Sequence, residues 1–250
     1  MPLSSLQQRM LTALLLVPLA TAAVLLLPTV YLSLCLAIVV GLAAWEWTTL
    51  AGIGKPLGRI AYLLLVGACL PLLWRLPVET WTSYLLIPVG LLWFAAAVYL
   101  LRLRRVEPAI GLDPALVALG LPVLIGPWAA MVALHAMDGQ GRWLVMFLLV
   151  LIWVVDSAAY FTGRRWGRAK LAPVLSPGKT RVGVYGALVA AACCGLLLAW
   201  AMGLGMAPAL TVVAICVVTA FISVIGDLFE SLLKRRRGLN DSGRLLPGHG

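Results

Sequence analysis

Charged residues are scarce in this chain of 250 residues. Asp, Glu, Lys and Arg together make up 11% of it, whereas 63% of the residues are hydrophobic. An ordinary soluble domain is about a quarter charged. One domain of this size has too little interior to bury so much apolar surface, so the composition excludes a soluble globule. It also excludes an intrinsically disordered chain, a coiled coil and a small disulfide scaffold.

Several motifs with known chemistry are also missing. The five cysteines all lie inside apolar runs and form no C-x-x-C pair, which argues against a thiolate zinc or redox site. The D-x-x-D-G-x-x-A-R string of CDP-alcohol phosphotransferases is absent. A P-loop is excluded as well, because Pro173 stands where the first glycine of G-x-x-x-x-G-K-[ST] is required.

What the chain has instead is a series of long apolar runs. A helix of about 20 apolar residues crosses a bilayer. The runs are continuous and lack the alternation of a barrel strand. They therefore predict an all-α, polytopic transmembrane bundle with about eight spans. The runs cover residues 10–28, 30–50, 60–74, 81–101, 115–135, 143–162, 183–203 and 207–226.

We treat residues 1–250 as a single integral-membrane domain. Residues 1–140 provide the N-terminal spans. Residues 143–250 provide the catalytic spans, with a polar link at 163–182 and a C-terminal motif at 226–250.

The basic residues predict the orientation of this bundle. Of the 19 Lys and Arg residues, 17 fall in alternate links and the two termini, and only Arg75 and Arg142 lie in the opposite links. By the positive-inside rule, both termini and the 163–182 link are cytoplasmic.

Acidic residues number only nine, and four of them lie in or beside apolar runs: Glu46, Asp156, Asp227 and Glu230. An ionised carboxylate is costly inside a bilayer, so such residues usually face a polar cavity and have a function. The predicted topology brings all four toward the cytoplasmic face.

The spacing after the last run is also informative. Asp227, Glu230, Ser231 and Lys234 share one face of a continuing helix, which suits a site for Mg²⁺. In the alternative interpretation, Glu230 and Lys234 form an ordinary i,i+4 ion pair and Asp227 marks the membrane boundary.

Two polar segments complete the candidate site. Residues 163–186 combine six basic residues with five glycines and contain the run Ser176-Pro177-Gly178-Lys179-Thr180, which favours phosphate binding. The tail carries Asp241 and His249 within turn-rich sequence, although a lone histidine in a tail is most often simply solvated. The residues thus indicate a membrane enzyme that brings a polyphosphate nucleotide to a lipid.

The C-terminal third resembles the integral-membrane phosphatidate cytidylyltransferases, also called CDP-diacylglycerol synthases. Their signature, Ser-x-x-Lys-Arg followed by Lys-Asp and Pro-Gly-His-Gly-Gly, is matched at Ser231, Lys234, Arg235, Asp241 and 247–250, with Asn240 in place of the Lys. The stretches 226–231, 156–164 and 176–180 resemble the family's other motifs, and Gln8-Arg9 and Glu46-Trp47 do so more weakly.

The resemblance implies the reaction of CTP with phosphatidate to give CDP-diacylglycerol and pyrophosphate. It also implies Mg²⁺ as cofactor, with room for a second cation. The expected partners are CTP, phosphatidate and bilayer lipid, with no nucleic acid, and a homodimer remains an open option. The expected location is a bacterial inner membrane, with the site facing the cytoplasm.

The resemblance also implies roles for individual residues. Asp227 would bind the metal, with Asp156 and Glu230 as further ligands. Catalytic roles fall on Asp227, Lys234, Asp241 and His249. Substrate binding falls on Arg164, Ser176, Lys179, Thr180, Ser231 and Arg235.

The chain departs from the family pattern in two places. Arg181-Val182-Gly183 stands where the family usually has a Glu, and the signature continues beyond Gly250, where this chain ends. From the second departure we expect a chain truncated at its C-terminus, lacking at least one metal-binding carboxylate and inactive as it stands.

Two other functions remain open at this stage. A CTP-dependent polyprenol or lipid kinase would share the metal and the nucleotide loop but release CDP instead of pyrophosphate. A cation- or proton-coupled transporter would use the acids as a relay, although such acids usually lie near mid-membrane in related repeats.

Overall fold

The computed structural model describes residues 5–103 and 105–239, and within them the chain is almost entirely helical. The helices are α1 (Ser5–Leu26), α2 (Thr29–Leu50), α3 (Pro56–Trp74), α4 (Val78–Trp81), α5 (Ile87–Arg102), α6 (Pro114–His135), α7 (Gly141–Trp166), α8 (Arg181–Ala201) and α9 (Met206–Arg236). A π-helical turn, Thr82–Leu86, joins α4 to α5. Two short strands, β1 (Lys170–Ala172) and β2 (Ser176–Thr180), lie between α7 and α8.

The membrane-spanning prediction is confirmed. Seven helical segments in the described residues are long and apolar enough to cross a bilayer, with α4 and α5 counted together, and α1 adds a shorter apolar stretch, Leu14–Leu26. Seven of the eight predicted runs coincide with one helix each, overshooting its end by at most two residues, and the run 81–101 crosses α4, the π-helical turn and α5. The chain is therefore an integral membrane protein with an all-α, polytopic fold.

The last helix extends well beyond its predicted span. α9 has 31 residues, which corresponds to about 46 Å, against about 30 Å of hydrocarbon in a bilayer. The extra turns carry the polar sequence that begins at Asp227, so the expected continuation of the helix past residue 226 is confirmed.

The polar link after α7 contains a β-hairpin that the sequence did not lead us to expect. β1 and β2 pair antiparallel, with Lys170 opposite Thr180 and Ala172 opposite Ser176. The turn is held by Leu175, which is buried against Ile225 and Leu228 of α9. This apolar anchor folds back a segment that is rich in glycine and contains two prolines.

The described chain falls into two compact units. One contains the chain as far as Leu92, Pro108–Met146, and the described residues from Arg236 onward. In this unit α2 packs on α3 and α6. The Trp47 indole donates to the carbonyl of Leu116 at 2.8 Å. The buried His135 ring is held between the Thr29 hydroxyl and the Val24 carbonyl, at 2.9 Å from each.

The other unit consists of Trp93–Glu107 and Phe147–Arg235. Its core is a cluster of small side chains on α8 and α9, including Ala187, Ala191 and Ala220, packed against Leu151 and Val155 of α7. Small residues let helix backbones approach closely in a membrane, where apolar contact alone gives little driving force. This close-packed unit carries the hairpin and the candidate site.

Candidate active site

A cavity of about 680 Å³ lies within the second unit. Its walls come from the C-terminal half of α7, the β1–β2 hairpin, the start of α8 and α9. The charged or hydroxyl-bearing lining residues are Asp156, Tyr160, Arg164, Lys170, Ser176, Lys179, Thr180 and Asp227. The structure thus gathers five of the predicted substrate or metal residues of 156–180 into one cavity with Asp227.

An ion pair joins the hairpin to α9 inside this cavity. The Nζ atom of Lys179 lies 2.5 Å from Oδ2 of Asp227. The Lys179 side chain is 28% exposed and that of Asp227 is 52% exposed, so the pair faces solvent and not the protein core. A ligand entering the cavity can therefore reach both charges.

Asp156 on α7 completes a cluster of three charges. Its carboxylate interacts electrostatically with Asp227, which has the same charge, and with Lys179, which has the opposite charge. The two carboxylates suit a cation, whereas Arg164 and Lys170, which line the same cavity, suit an anion.

The carboxylates of the cavity fit a Mg²⁺ ion that is shared with substrate phosphates. Within the described ranges, no three His, Cys, Asp or Glu side chains form a group that would hold a metal ion on its own. Asp156 and Asp227 offer two carboxylates, and Mg²⁺ is commonly held by one or two carboxylates, with substrate phosphates and water completing the shell. These two residues are therefore the ones that would hold the ion.

Arg164 presents a positive charge to the same cavity from the end of α7. Its Nη1 donates to the Tyr160 hydroxyl at 2.8 Å, and its guanidinium carbon lies 5.9 Å from the centre of the Tyr160 ring. One turn of helix separates the two residues, so the tyrosine fixes the direction of the arginine. A guanidinium oriented in this way is well suited to phosphate oxygens.

Ser176 and Thr180 are at opposite ends of β2 and differ in their environment. Ser176 is half-buried and lines the cavity. Thr180 is buried, and its Oγ1 accepts a hydrogen bond from the backbone N–H of Gly183 at 3.1 Å, which makes it the N-cap of α8. The geometry therefore gives Thr180 a capping role beside its predicted contact with substrate.

Two glycines of the link serve helix packing. A Cβ on Gly163 would lie 2.9 Å from Oγ1 of Thr180, and one on Gly183 would lie 2.8 Å from the carbonyl oxygen of Ala159. These positions accept only glycine because α7 and α8 cross closely there. Gly178, by contrast, has open space around it and lines the cavity.

The remaining predicted residues of α9 lie outside the lining of the cavity. Glu230 pairs with Lys234 at 2.9 Å, as the alternative interpretation expected. The Ser231 hydroxyl donates to the carbonyl of Asp227 at 2.8 Å, and Nε of Arg235 lies 3.5 Å from the carbonyl oxygen of Leu175. Asp241 and His249 lie outside the described residues.

Sequence reasoning passed over Lys170 as a site residue. It lies on β1 opposite Thr180 and lines the cavity. Lys170 is one of the six basic residues of the link, but the sequence does not show which of the six face the cavity. Tyr160 lies within the motif at 156–164, and its hydrogen bond with Arg164 gives it a structural role there.

A comparison with known proteins identifies the family of the chain. Residues 7–250 match the model of the cytidylyltransferase family. The chain belongs to the cytidylyltransferase family. Because the match runs through both units, family membership applies to the whole chain and not only to the segment around the cavity.

Individual relatives support the same assignment. The chain is 36% identical to the phosphatidate cytidylyltransferase of Pseudomonas aeruginosa, over 98% of this chain and 89% of that protein. It is 31% identical to the phosphatidate cytidylyltransferase of Haemophilus influenzae, over 98% of this chain and 91% of the relative. The phosphatidate cytidylyltransferase of Brucella suis is 48% identical over 107 residues, which is 42% of this chain and 38% of that protein.

Proposed function

We propose that this protein transfers the cytidylyl group of CTP to phosphatidate, with release of pyrophosphate and formation of CDP-diacylglycerol. The observation that carries the proposal is the ion pair of Lys179 and Asp227 beside Asp156, in a cavity of about 680 Å³. Small-molecule sites usually measure about 300–1,000 Å³, so the volume suits a nucleotide. The relatives named above support the choice of substrates.

The basic side chains of the cavity supply the phosphate contacts. Lys179 and Lys170 extend from the hairpin, and Arg164 is oriented by Tyr160. Ser176 adds a hydroxyl from β2. Three cations around one cavity offset part of the negative charge of a triphosphate, and this lowers the repulsion that another phosphate meets as it approaches.

In the reaction, an oxygen of the phosphatidate phosphate attacks the α-phosphorus of CTP. The new bond joins that oxygen to the α-phosphorus, and the bond from the α-phosphorus to the bridging oxygen of the β-phosphate breaks. Mg²⁺ held by Asp156 and Asp227 would supply charge neutralisation for the leaving pyrophosphate. The chain's own contribution is to hold both anions in line, through Lys179, Lys170 and Arg164.

The distribution of basic residues supports a cytoplasmic site in a bacterial inner membrane. The link that carries the hairpin holds six of the 19 basic residues, and basic links remain on the cytoplasmic side. CTP is made in the cytoplasm, and phosphatidate presents its phosphate at the membrane surface. The relatives are bacterial proteins, which favours the inner membrane.

The decisive experiment follows both products of the reaction. The full-length protein is reconstituted in vesicles that contain phosphatidate and is supplied with Mg²⁺ and CTP labelled at the α-phosphate. We expect the label to enter the lipid and pyrophosphate to be released in equal amount. Release of CDP with an unlabelled lipid product would instead identify a lipid kinase and contradict the proposal.

A further inference from the structure

A second, smaller cavity lies in the same unit, against the hairpin turn. It measures about 210 Å³, and nine of its ten lining residues are apolar. Its walls are the end of α5 with the residues that follow it, the hairpin turn, and α9. Leu100, Leu175, Ile225 and Leu228 are buried, whereas Pro173 and Val174 at the turn are exposed and mark its opening.

Arg105 is the one charged residue in this lining. Its side chain is exposed, and within residues 5–103 and 105–239 it makes no hydrogen bond or ion pair. Guanidinium is weakly hydrated and carries several donors in a plane, so it is suited to a phosphate group. An apolar cavity lined by one exposed guanidinium suits a ligand that is apolar at one end and anionic at the other.

We propose that this cavity binds an anionic phospholipid, with one acyl chain between the hairpin and α9 and the phosphate on Arg105. The charge of Arg105 selects a phosphate, and the apolar walls select a hydrocarbon chain. The surrounding bilayer supplies such lipids, and a basic residue at its surface attracts them. The site is separate from the larger cavity and does not depend on the proposed reaction.

The two cavities share a wall, which connects the lipid to the site. Lys170 lines the polar cavity and its neighbour Leu171 lines the apolar one, and the same holds for Asp227 and Leu228 on α9. A bound acyl chain would thus lie behind the strand and the helix that carry two charges of the candidate active site.

Photo-crosslinking tests the proposal. The full-length protein is reconstituted in phosphatidylcholine vesicles that contain phosphatidylglycerol with a photoreactive acyl chain. We expect labelled peptides from 171–175 and 225–228. In Arg105→Gln the labelling should fall about tenfold, the equivalent of one charge-assisted hydrogen bond. Arg102→Gln is the matched control, because Arg102 is exposed on α5 and lies outside the lining.

A second variant tests the acyl-chain position. Ala172→Phe fills the cavity from β1, and we expect it to abolish labelling of 225–228 while CTP still binds. Equal labelling of wild type and Arg105→Gln would overturn the proposal. Labelling by an unphosphorylated photoreactive fatty acid with the same efficiency would also overturn it, because the phosphate would then contribute nothing. If the wild-type protein crosslinks normally but transfers no cytidylyl group, that result counts against the proposed reaction and leaves the lipid site standing.

Discussion

Lys179 and Asp227 are 48 residues apart in the chain, yet their side chains meet at 2.5 Å in the larger cavity. The lysine lies where a cation is needed, because Asp156 contributes a second negative charge nearby. A solvent-exposed ion pair is worth about 0–1 kcal/mol, so a bound ligand can separate it at little cost. In the proposed reaction, the lysine ammonium and a divalent cation would therefore compete for the Asp227 carboxylate until a substrate phosphate engages the lysine.

This competition predicts opposite effects from one substitution. In Lys179→Met, Asp227 loses its competing cation, so Mn²⁺ should bind more tightly in the absence of nucleotide, by up to about fivefold. CTP should bind more weakly, because a phosphate contact is lost. Electron paramagnetic resonance of Mn²⁺ measures the first effect, and equilibrium dialysis with labelled CTP measures the second.

Lys55→Met is the matched control for this experiment. Lys55 is exposed at the start of α3, in the other unit, and lies outside the cavity. Neither affinity should change in this variant. If Lys179→Met weakens Mn²⁺ and CTP together, the lysine supports the fold of the site and does not compete with the metal.

The acids of α9 should respond unequally to neutralisation. Asp227 lines the cavity, whereas Glu230 is paired with Lys234 outside it. We expect Asp227→Asn to reduce turnover of the full-length protein by at least about a hundredfold, as is typical for loss of a group that stabilises transition-state charge. The loss of turnover in Glu230→Gln should be smaller than the loss in Asp227→Asn by a factor of at least about ten. Turnover measured as pyrophosphate release decides the order, and equal losses would return Glu230 to the metal site.

The helices were predictable because a bilayer imposes a minimum length of apolar sequence on each of them. All eight apolar runs lie on helices for this reason. The 170–180 hairpin was not predictable in the same way, since its strands have three and five residues and show no alternating pattern. Its position depends on Leu175 and on contacts with α9, which are tertiary.

The candidate site was predictable as a set of residues but not as a set of contacts. Placing the acids at one end of their helices suggested that Asp156 and Asp227 approach each other, and both line one cavity. Helical spacing alone also grouped Glu230 with Asp227, although residues three apart can point into different surroundings. Which of them faces the cavity depends on the hairpin packed beside α9.

The N-cap of α8 gives a test of stability that is independent of the reaction. Thr180 is buried and accepts from the N–H of Gly183. Thr180→Val keeps the shape but removes the acceptor, so we expect a loss of about 1 kcal/mol in the free energy of unfolding. Thr180→Ser should restore most of it. Thermal unfolding in detergent measures both variants, and a serine variant no more stable than the valine would argue against the cap.

The turn after α2 provides the last prediction. Gly52 has a φ of +76°, which disfavours any side chain, and a Cβ there would also clash with the backbone carbonyl oxygen of Gly111 and lie 2.7 Å from Nη2 of Arg237. Arg237 is held by the carbonyls of Leu50, at 2.7 Å from Nε, and Gly111, at 2.7 Å from Nη1. Gly52→Ala must therefore strain the backbone and also displace the Gly111 carbonyl and the Arg237 guanidinium.

We expect Gly52→Ala to cost at least about 1 kcal/mol and to lower the Tm by at least about 2–4 °C. Gly54→Ala is the matched control, because Gly54 lies two residues further on, with open space around its Cβ position and no positive φ. Its Tm should stay near that of the wild type. Arg237→Ala combined with Gly52→Ala isolates the guanidinium contact: if the double variant loses no more than Arg237→Ala alone, that contact accounts for the effect of Gly52→Ala, and any additional loss measures the left-handed backbone together with the clash against the Gly111 carbonyl.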